Sequence, residues 1–304
     1  MRLGRASGLN DTSRRRLGNE DVFVCDPPVF AVADGMGGAP AGELASHLAA
    51  AALEERAAGL RGETALAAVV REANDRVFRR ATADPAAAGM GTTITIAVVD
   101  EAAGTLAIGH VGDSRAYRLR AGALEQLTSD HSLVAELVRS GRLTQEEAEK
   151  HPHRAVITRS VGTDEAVEVD TITLQMEEGD LYLLCSDGLT DMVPDDAIQT
   201  LGVVAAGDPD AFVSTLVDAA NAGGGDDNIT VVVFEVVAGE PAAPVIDSGA
   251  DPESPHPVGP ANGPSPGARV RRWGAGAGGR IPALLFLIAV AVVAALALYW
   301  GIAR

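Results

Sequence analysis

The chain has 304 residues, 47% of them hydrophobic and 22% charged, with a formal net charge of −18. That length and balance give one large domain or two small ones, and exclude a disordered chain and a multi-span membrane protein. Aromatics are only 4%; few stacking rings, together with a surface that phosphate backbones repel, argue against nucleic acid as a partner.

Residues 1–21 are polar and hold no apolar signal segment, so the bulk of the chain is expected in a reducing, cytoplasmic compartment. Cys25 and Cys185 each sit in an apolar run and read as buried thiols. Val22–Cys25 and Val29–Ala33 flank Asp26-Pro27-Pro28 and read as strand, turn and strand. Ala41–Ala58 and Thr64–Ala81 are rich in Ala, Leu, Glu and Arg and predict helices. Thr92–Val99, Leu106–Val111 and Ala116–Leu119 predict strands joined by turns. Ser132–Arg139 predicts a helix, and Thr144–Lys150 opens with a capping-box pattern. Leu181–Cys185 and Ile229–Val237 predict strands, with a helix over Asp210–Asn221 between them. Strands arrive in groups and helices in pairs, so the class is α+β.

Composition shifts past residue 238. Eight of the 16 prolines fall within residues 239–280, among Gly, Ala and Ser, which predicts a semi-extended, disordered linker. Residues 281–300 carry no charge. Twenty residues at 1.5 Å each cover about 30 Å, the thickness of a bilayer's hydrocarbon. Tyr299 and Trp300 stand where an interfacial aromatic belt would lie. Arg269, Arg271, Arg272 and Arg280 precede the span and Arg304 alone follows, which predicts a single-pass anchor with the amino-terminal side cytoplasmic and 301–304 as a short tail beyond it. Without residues 241–304 the formal charge is −20.

Asp34, Asp113, Asp187 and the pair Asp226-Asp227 recur in one setting, at the junction of an apolar strand and a turn. A strand end fixes the backbone, so carboxylates delivered this way can converge. Converging carboxylates repel unless a cation neutralises them, and Mg²⁺ or Mn²⁺ suits an all-oxygen set. The scattered His and Cys argue against zinc, and no EF-hand spacing is present. A single Asp-Gly is more often a turn than a ligand. Four in this setting weaken that reading without removing it.

Six ordered motifs carry a resemblance over about residues 5–238: Arg16-Leu17-Gly18-Asn19-Glu20-Asp21, Ala33-Asp34-Gly35-Met36-Gly37-Gly38, Gly91-Thr92-Thr93, Gly109-His110-Val111-Gly112-Asp113-Ser114-Arg115, Ser186-Asp187-Gly188-Leu189 and Gly225-Asp226-Asp227-Asn228-Ile229-Thr230. Together they resemble the PPM or type 2C metal-dependent protein phosphatases of bacteria. The resemblance implies a catalytic domain over 1–238 built as two antiparallel β-sheets packed face to face, with helices on both outer sides. It implies two to three divalent cations, Mn²⁺ or Mg²⁺. Asp34 would bridge two of them with the Gly35 carbonyl on the second, Asp187 and Asp227 would hold the first, and Asp113 with Asp187 would form a third site. Asp21 and Glu20 would act through water on the metals, and Arg16 would clamp the phosphate. Asp226 is the weaker ligand candidate, because the family's Asp directly precedes Asn.

The implied reaction is hydrolysis of phosphoserine and phosphothreonine in proteins by a metal-activated water, reversing Ser/Thr kinases, with phosphorylated proteins as partners. Met36 stands where eukaryotic relatives carry a candidate acid His, and a thioether donates no proton. His47, His110, His131, His151 and His153 are not distinguished as replacements. Residues 128–162 match the flap of bacterial members and are expected to form an irregular substrate-recognition surface. Two further functions stay open: a partner-switching phosphatase acting on a phosphorylated anti-sigma antagonist, and an inactive scaffold that binds phosphoproteins. The intact Arg16…Asp21 motif and the absence of a sensor domain weigh against the first, and the complete acidic set against the second.

Overall fold

The computed structural model describes residues 1–205 and 207–239. The expected membrane span over 281–300, the tail 301–304 and, past Gly239, the expected linker lie outside the described residues. No helix among the described residues is long and apolar enough to cross a membrane.

Two antiparallel sheets pack face to face. The first has the order β1-β11-β10-β7-β8, with β1 Arg2–Asp11, β7 Arg115–Arg120, β8 Ala123–Gln126, β10 Leu181–Cys185 and β11 Ile229–Val237. The second has the order β2-β3-β5-β6-β9, with β2 Asp21–Asp26, β3 Val29–Met36, β5 Ile94–Asp100, β6 Thr105–Val111 and β9 Asp170–Gln175. The two-residue β4, Gly91–Thr92, pairs with the end of β3. The expected strand over Thr92–Val99 is thus broken at Thr93, whose backbone N–H donates to the Asp34 carbonyl at 2.8 Å.

The central strands are apolar on both faces because both faces are covered. Phe30, Val32, Ile108, Tyr182, Leu184, Val232 and Phe234 meet between the sheets, with the Phe30 and Phe234 rings stacked at 4.1 Å. Helices α1, Ala41–Glu54, and α2, Gly62–Ala83, bury Leu53, Leu66, Val70 and Val77 against the outside of the second sheet. The buried face of α1 is mostly alanine, which lets the helix lie close to β3. Helices α6, Asp195–Ala205, and α7, Pro209–Gly223, cover the first sheet with Ile198, Phe212, Leu216 and Val217. Asp208 caps α7 ahead of a proline at its first position, a placement that suits both residues.

Residues 128–162 hold more regular structure than the irregular surface expected. They form α3, Leu133–Arg139, capped by Ser132, and α4, Gln145–Glu149, where Thr144 and Glu147 complete the capping box. Isolated bridges Thr92–Val161 and Ser132–Ile157 tie the segment's ends down. A single-turn helix α5, Asp187–Thr190, completes the set.

Phe234 is fully buried between the sheets and stacks on both Phe30 and Tyr182. Phe234→Ala is expected to lower the stability of the domain by about 3–5 kcal/mol, the cost of a large-to-small change in a packed core. Urea unfolding checks this; a loss under about 1 kcal/mol would show that the two sheets do not depend on that packing.

Candidate metal centre

The acidic residues meet at one end of the sandwich, where strands of both sheets stop. Asp21 opens β2 and lies in register opposite Asp34 on β3. Asp113 follows β6, Asp187 follows β10 and begins α5, and Asp227 stands two residues before β11. Neighbouring strands of the second sheet therefore supply Asp21 and Asp34, and β10 and β11 of the first supply Asp187 and Asp227.

Short polar links hold these ends in place. Thr93 Oγ1 accepts from the Asp34 N–H at 3.1 Å and is 2.6 Å from Ser114 Oγ. Thr92 Oγ1 donates to the Asp34 carbonyl. Thr230 Oγ1 donates to Asp21 Oδ2 at 2.7 Å, while the Thr230 N–H donates to Ser186 Oγ. The β10 and β11 ends are thus tied to β2 as well as to each other. Close approach demands glycine twice. A Cβ on Gly35 would lie 2.2 Å from the Gly42 carbonyl oxygen, and one on Gly188 would lie 2.0 Å from the Asn228 carbonyl oxygen.

The electrostatics follow from this crowding. Burial raises the pKa of Asp34 well above the ordinary carboxylate range, and the charges of Asp21, Asp187, Asp113 and Asp227 raise it further. Asp187 is raised by burial and then by Asp113, Asp191, Asp227 and Asp21. Burial pushes Asp21 up to about 6 and Asp113 up to about 7, with neighbouring carboxylates adding to both. Glu20 is buried and raised for the same first reason, with Arg16 opposing.

One oxygen each of Asp21, Asp113 and Asp187 is buried without a hydrogen-bond partner. Buried carboxylate oxygens without partners are costly, so three at neighbouring strand ends fit a site that binds hard cations. Among the described residues no three His, Cys, Asp or Glu side chains stand at metal-ligand spacing. The donor set itself is all oxygen and suits Mg²⁺ or Mn²⁺ better than zinc.

Arg16 reaches the cluster, 2.5 Å from Asp227 Oδ2 and 3.9 Å from Glu20 Oε1. Its guanidinium is nearly half exposed. Asp226 does not join the site; it is exposed and pairs with Arg15 at 3.1 Å. His110 and His131 are buried and stacked at 4.8 Å, with His110 bonded to Thr95 and His131 accepting from the Gly112 N–H, which are structural contacts. The cleft extends over about 780 Å³ between Asp113, Asp187 and Asp191 on one wall and Arg139, Gln145 and Arg154 of the 128–162 segment on the other.

Three participants escaped the sequence reading. Asp191, four residues after Asp187, faces the cleft and pairs loosely with Arg154 at 3.8 Å. That helical spacing was a signal for it. Thr230 and Asn228 lie inside a quoted motif, but their partners are more than 200 residues away in sequence.

The chain matches the family model described as Protein phosphatase 2C over residues 19–224. It is 41% identical over 239 residues to the serine/threonine protein phosphatase PstP of Mycobacterium tuberculosis, covering 77% of this chain and 45% of that protein, so it spans under half of that relative's length. It is 39% identical over 244 residues to the serine/threonine phosphatase stp of Listeria monocytogenes, covering 74% of this chain and 93% of that one. The crystal structure of the PstP catalytic domain in complex with two manganese ions superposes with a TM-score of 0.71 at 38% identity, over 78% of this chain and 99% of that one.

Raised carboxylate pKa values fix the sign of a pH effect. Asp21 and Asp113 keep protons in the folded state up to about 6 and 7, against 3.8 when exposed. Folding then takes up protons in that window, so stability of the cation-free chain falls as pH rises from about 4 to about 7. Mn²⁺ should reverse the trend, because ligands bind deprotonated. Thermal melts with and without Mn²⁺ across this range check it; a flat cation-free profile, or one that Mn²⁺ leaves unmoved, would contradict the site.

Proposed function

The chain belongs to the protein phosphatase 2C family, and on that premise we propose that it hydrolyses phosphoserine and phosphothreonine esters in proteins with divalent cations as cofactors. The observation that carries this reading is the gathering of Asp21, Asp34, Asp113, Asp187 and Asp227 at one end of the sandwich, with Arg16 paired to Asp227. Asp34, the Gly35 carbonyl, Asp187 and Asp227 are the groups that would hold two cations, and Asp113 with Asp187 a third. When bound, such cations supply a water acidic enough to serve as nucleophile near neutral pH.

The chain's own groups do the rest. Arg16 has the planar fork that meets two phosphate oxygens at once, and orients the ester. Its present partner, Asp227, is one of the metal-ligand candidates, and a cation held by that carboxylate would leave the guanidinium available for phosphate. Asp21 Oδ1 is buried and unpartnered while Oδ2 is held by Thr230, so Oδ1 is the atom placed to take a proton from a water. Glu20, 7% exposed, sits where a Cβ on Gly42 would strike its Oε2, so Gly42 leaves the room this carboxylate occupies.

The substrates are phosphorylated proteins, the targets of Ser/Thr kinases and the kinases themselves, and the reaction reverses their signalling. The uncharged run 281–300, flanked by four arginines on its amino-terminal side, supports a single-pass anchor that holds the catalytic domain on the cytoplasmic face of the cell membrane. The proline-rich 239–280 would give that domain reach along the membrane surface.

The purified chain with Mn²⁺ is expected to release phosphate from a phosphothreonine peptide, and EDTA to abolish release. Asp34→Asn should cost two to three orders of magnitude, about the cost of deleting one group that stabilises transition-state charge, while the melt stays cooperative. Full activity in EDTA would overturn the metal assignment. For topology, protease added outside intact cells should leave residues 1–240 uncut; their digestion would contradict the orientation.

A further inference from the structure

The loop that carries Arg16 has no packing of its own. Residues 14–18 are exposed, Leu17 completely so, and residues 12 and 13 only partly covered. Polar anchors must therefore fix where the guanidinium stands. The one that reaches both ends of the loop is the side chain of Asn228, 3% exposed. Its Nδ2 donates to the Thr12 carbonyl at 3.2 Å and to the Gly18 carbonyl at 3.0 Å. Its Oδ1 accepts from the Glu20 N–H at 2.9 Å. The amide orientation follows from these partners, since an N–H must meet the oxygen and carbonyls must meet the nitrogen. The backbone N–H of the same residue donates to Asp227 Oδ1 at 2.7 Å.

We propose that Asn228 is the positioning residue for the phosphate clamp: one buried amide closes the Thr12–Gly18 loop at its base, ties it to Glu20 at the head of β2, and so sets the place of Arg16 relative to the carboxylates. The inference rests on Arg16 as the clamp of the phosphatase reading above. Secondary anchors agree with it. The Arg14 N–H donates to the Gly225 carbonyl at 3.2 Å, and the Ser13 N–H to Asp11 Oδ1 at 2.7 Å. Both fix the amino-terminal half of the loop. Gly18, at the other end, is held by Asn228. A carboxylate at position 228 would keep the acceptor for Glu20 but turn an oxygen toward two carbonyls. A serine would keep an acceptor but reach neither carbonyl well. Both substitutions release the loop and leave the strands intact.

The test combines hydrogen exchange with a double-substitution cycle in the full chain, using Asn228→Asp and the uncharged Asn228→Ser. In metal-free buffer, peptides covering residues 12–18 should exchange faster in both variants, while peptides from β5 and β10 keep their wild-type rates. With Mn²⁺ and a phosphothreonine peptide, each variant should lose about 10- to 100-fold in kcat/KM, the scale of a charged hydrogen bond, as should Arg16→Ala. Combined with Arg16→Ala, each should lose less than about 3-fold more, because both changes remove the same clamp. Unchanged exchange over 12–18, or losses that multiply in full, would overturn the proposal. An inactive wild-type chain would instead sink the phosphatase reading, and the exchange result alone would then decide whether Asn228 holds the loop. If Asn228→Asp does not fold, Asn228→Ser carries both arms.

Discussion

Repulsion among buried carboxylates is the constraint around which this domain is organised. Asp34 is surrounded by Asp21, Asp113, Asp187 and Asp227, and each neighbour raises its pKa. Side chains left to themselves would turn such groups toward water. Here strand ends, glycines that a Cβ would block, and hydroxyls from Thr92, Thr93, Thr230 and Ser186 keep them facing inward. The local arrangement is unfavourable, and a bound cation converts it into binding energy.

The stability that sustains this arrangement comes from elsewhere. Three apolar layers, one between the sheets and one under each helix pair, bury most of the large side chains. The acidic cluster sits at the rim of those layers, where strands leave the core and turns begin. Polar pairings reinforce the rim. Arg115 makes a bidentate contact with Asp130 and reaches the Tyr117 hydroxyl, which in turn donates to Asp195. Burial alone would disfavour the charge on Arg115, but Tyr117 and Asp130 outweigh it and hold the side chain firmly charged. That network joins β7 to the start of α6 along the same cleft wall that Asp113 and Asp187 line.

Much of this was legible in the sequence, for identifiable reasons. β10 and β11 run as expected, residue for residue, since continuous Val, Leu and Ile runs bounded by turns have one comfortable conformation. α1 and α2 differ from expectation by a few residues at their ends. β1 escaped because its sequence is polar and glycine-bearing, and none of its residues is buried; it is an edge strand held by register with β11. β8 escaped for the same reason, whereas β9 carries only a short alternation, Ile172 and Leu174 alternating with Thr171 and Thr173, on a mostly exposed edge strand. α6 was not among the expected elements, although its Ile198, Leu201 and Ala205 are spaced for one helix face. The acids that meet here were readable from residue type and setting, while the preference for Asp227 over Asp226 came from the resemblance; Asp226 stands exposed against Arg15. What no sequence pattern carries is partnership across distance, as between Asn228 and Gly18 or Thr230 and Asp21.

The most direct test of the central claim is anomalous diffraction from crystals of the protein soaked in Mn²⁺, collected at the manganese edge. At least two peaks should stand among the side-chain oxygens of Asp34, Asp187 and Asp227 and the Gly35 carbonyl, with Arg16 turned away from Asp227. Difference maps that show those oxygens splayed apart and no anomalous signal between them would contradict the account.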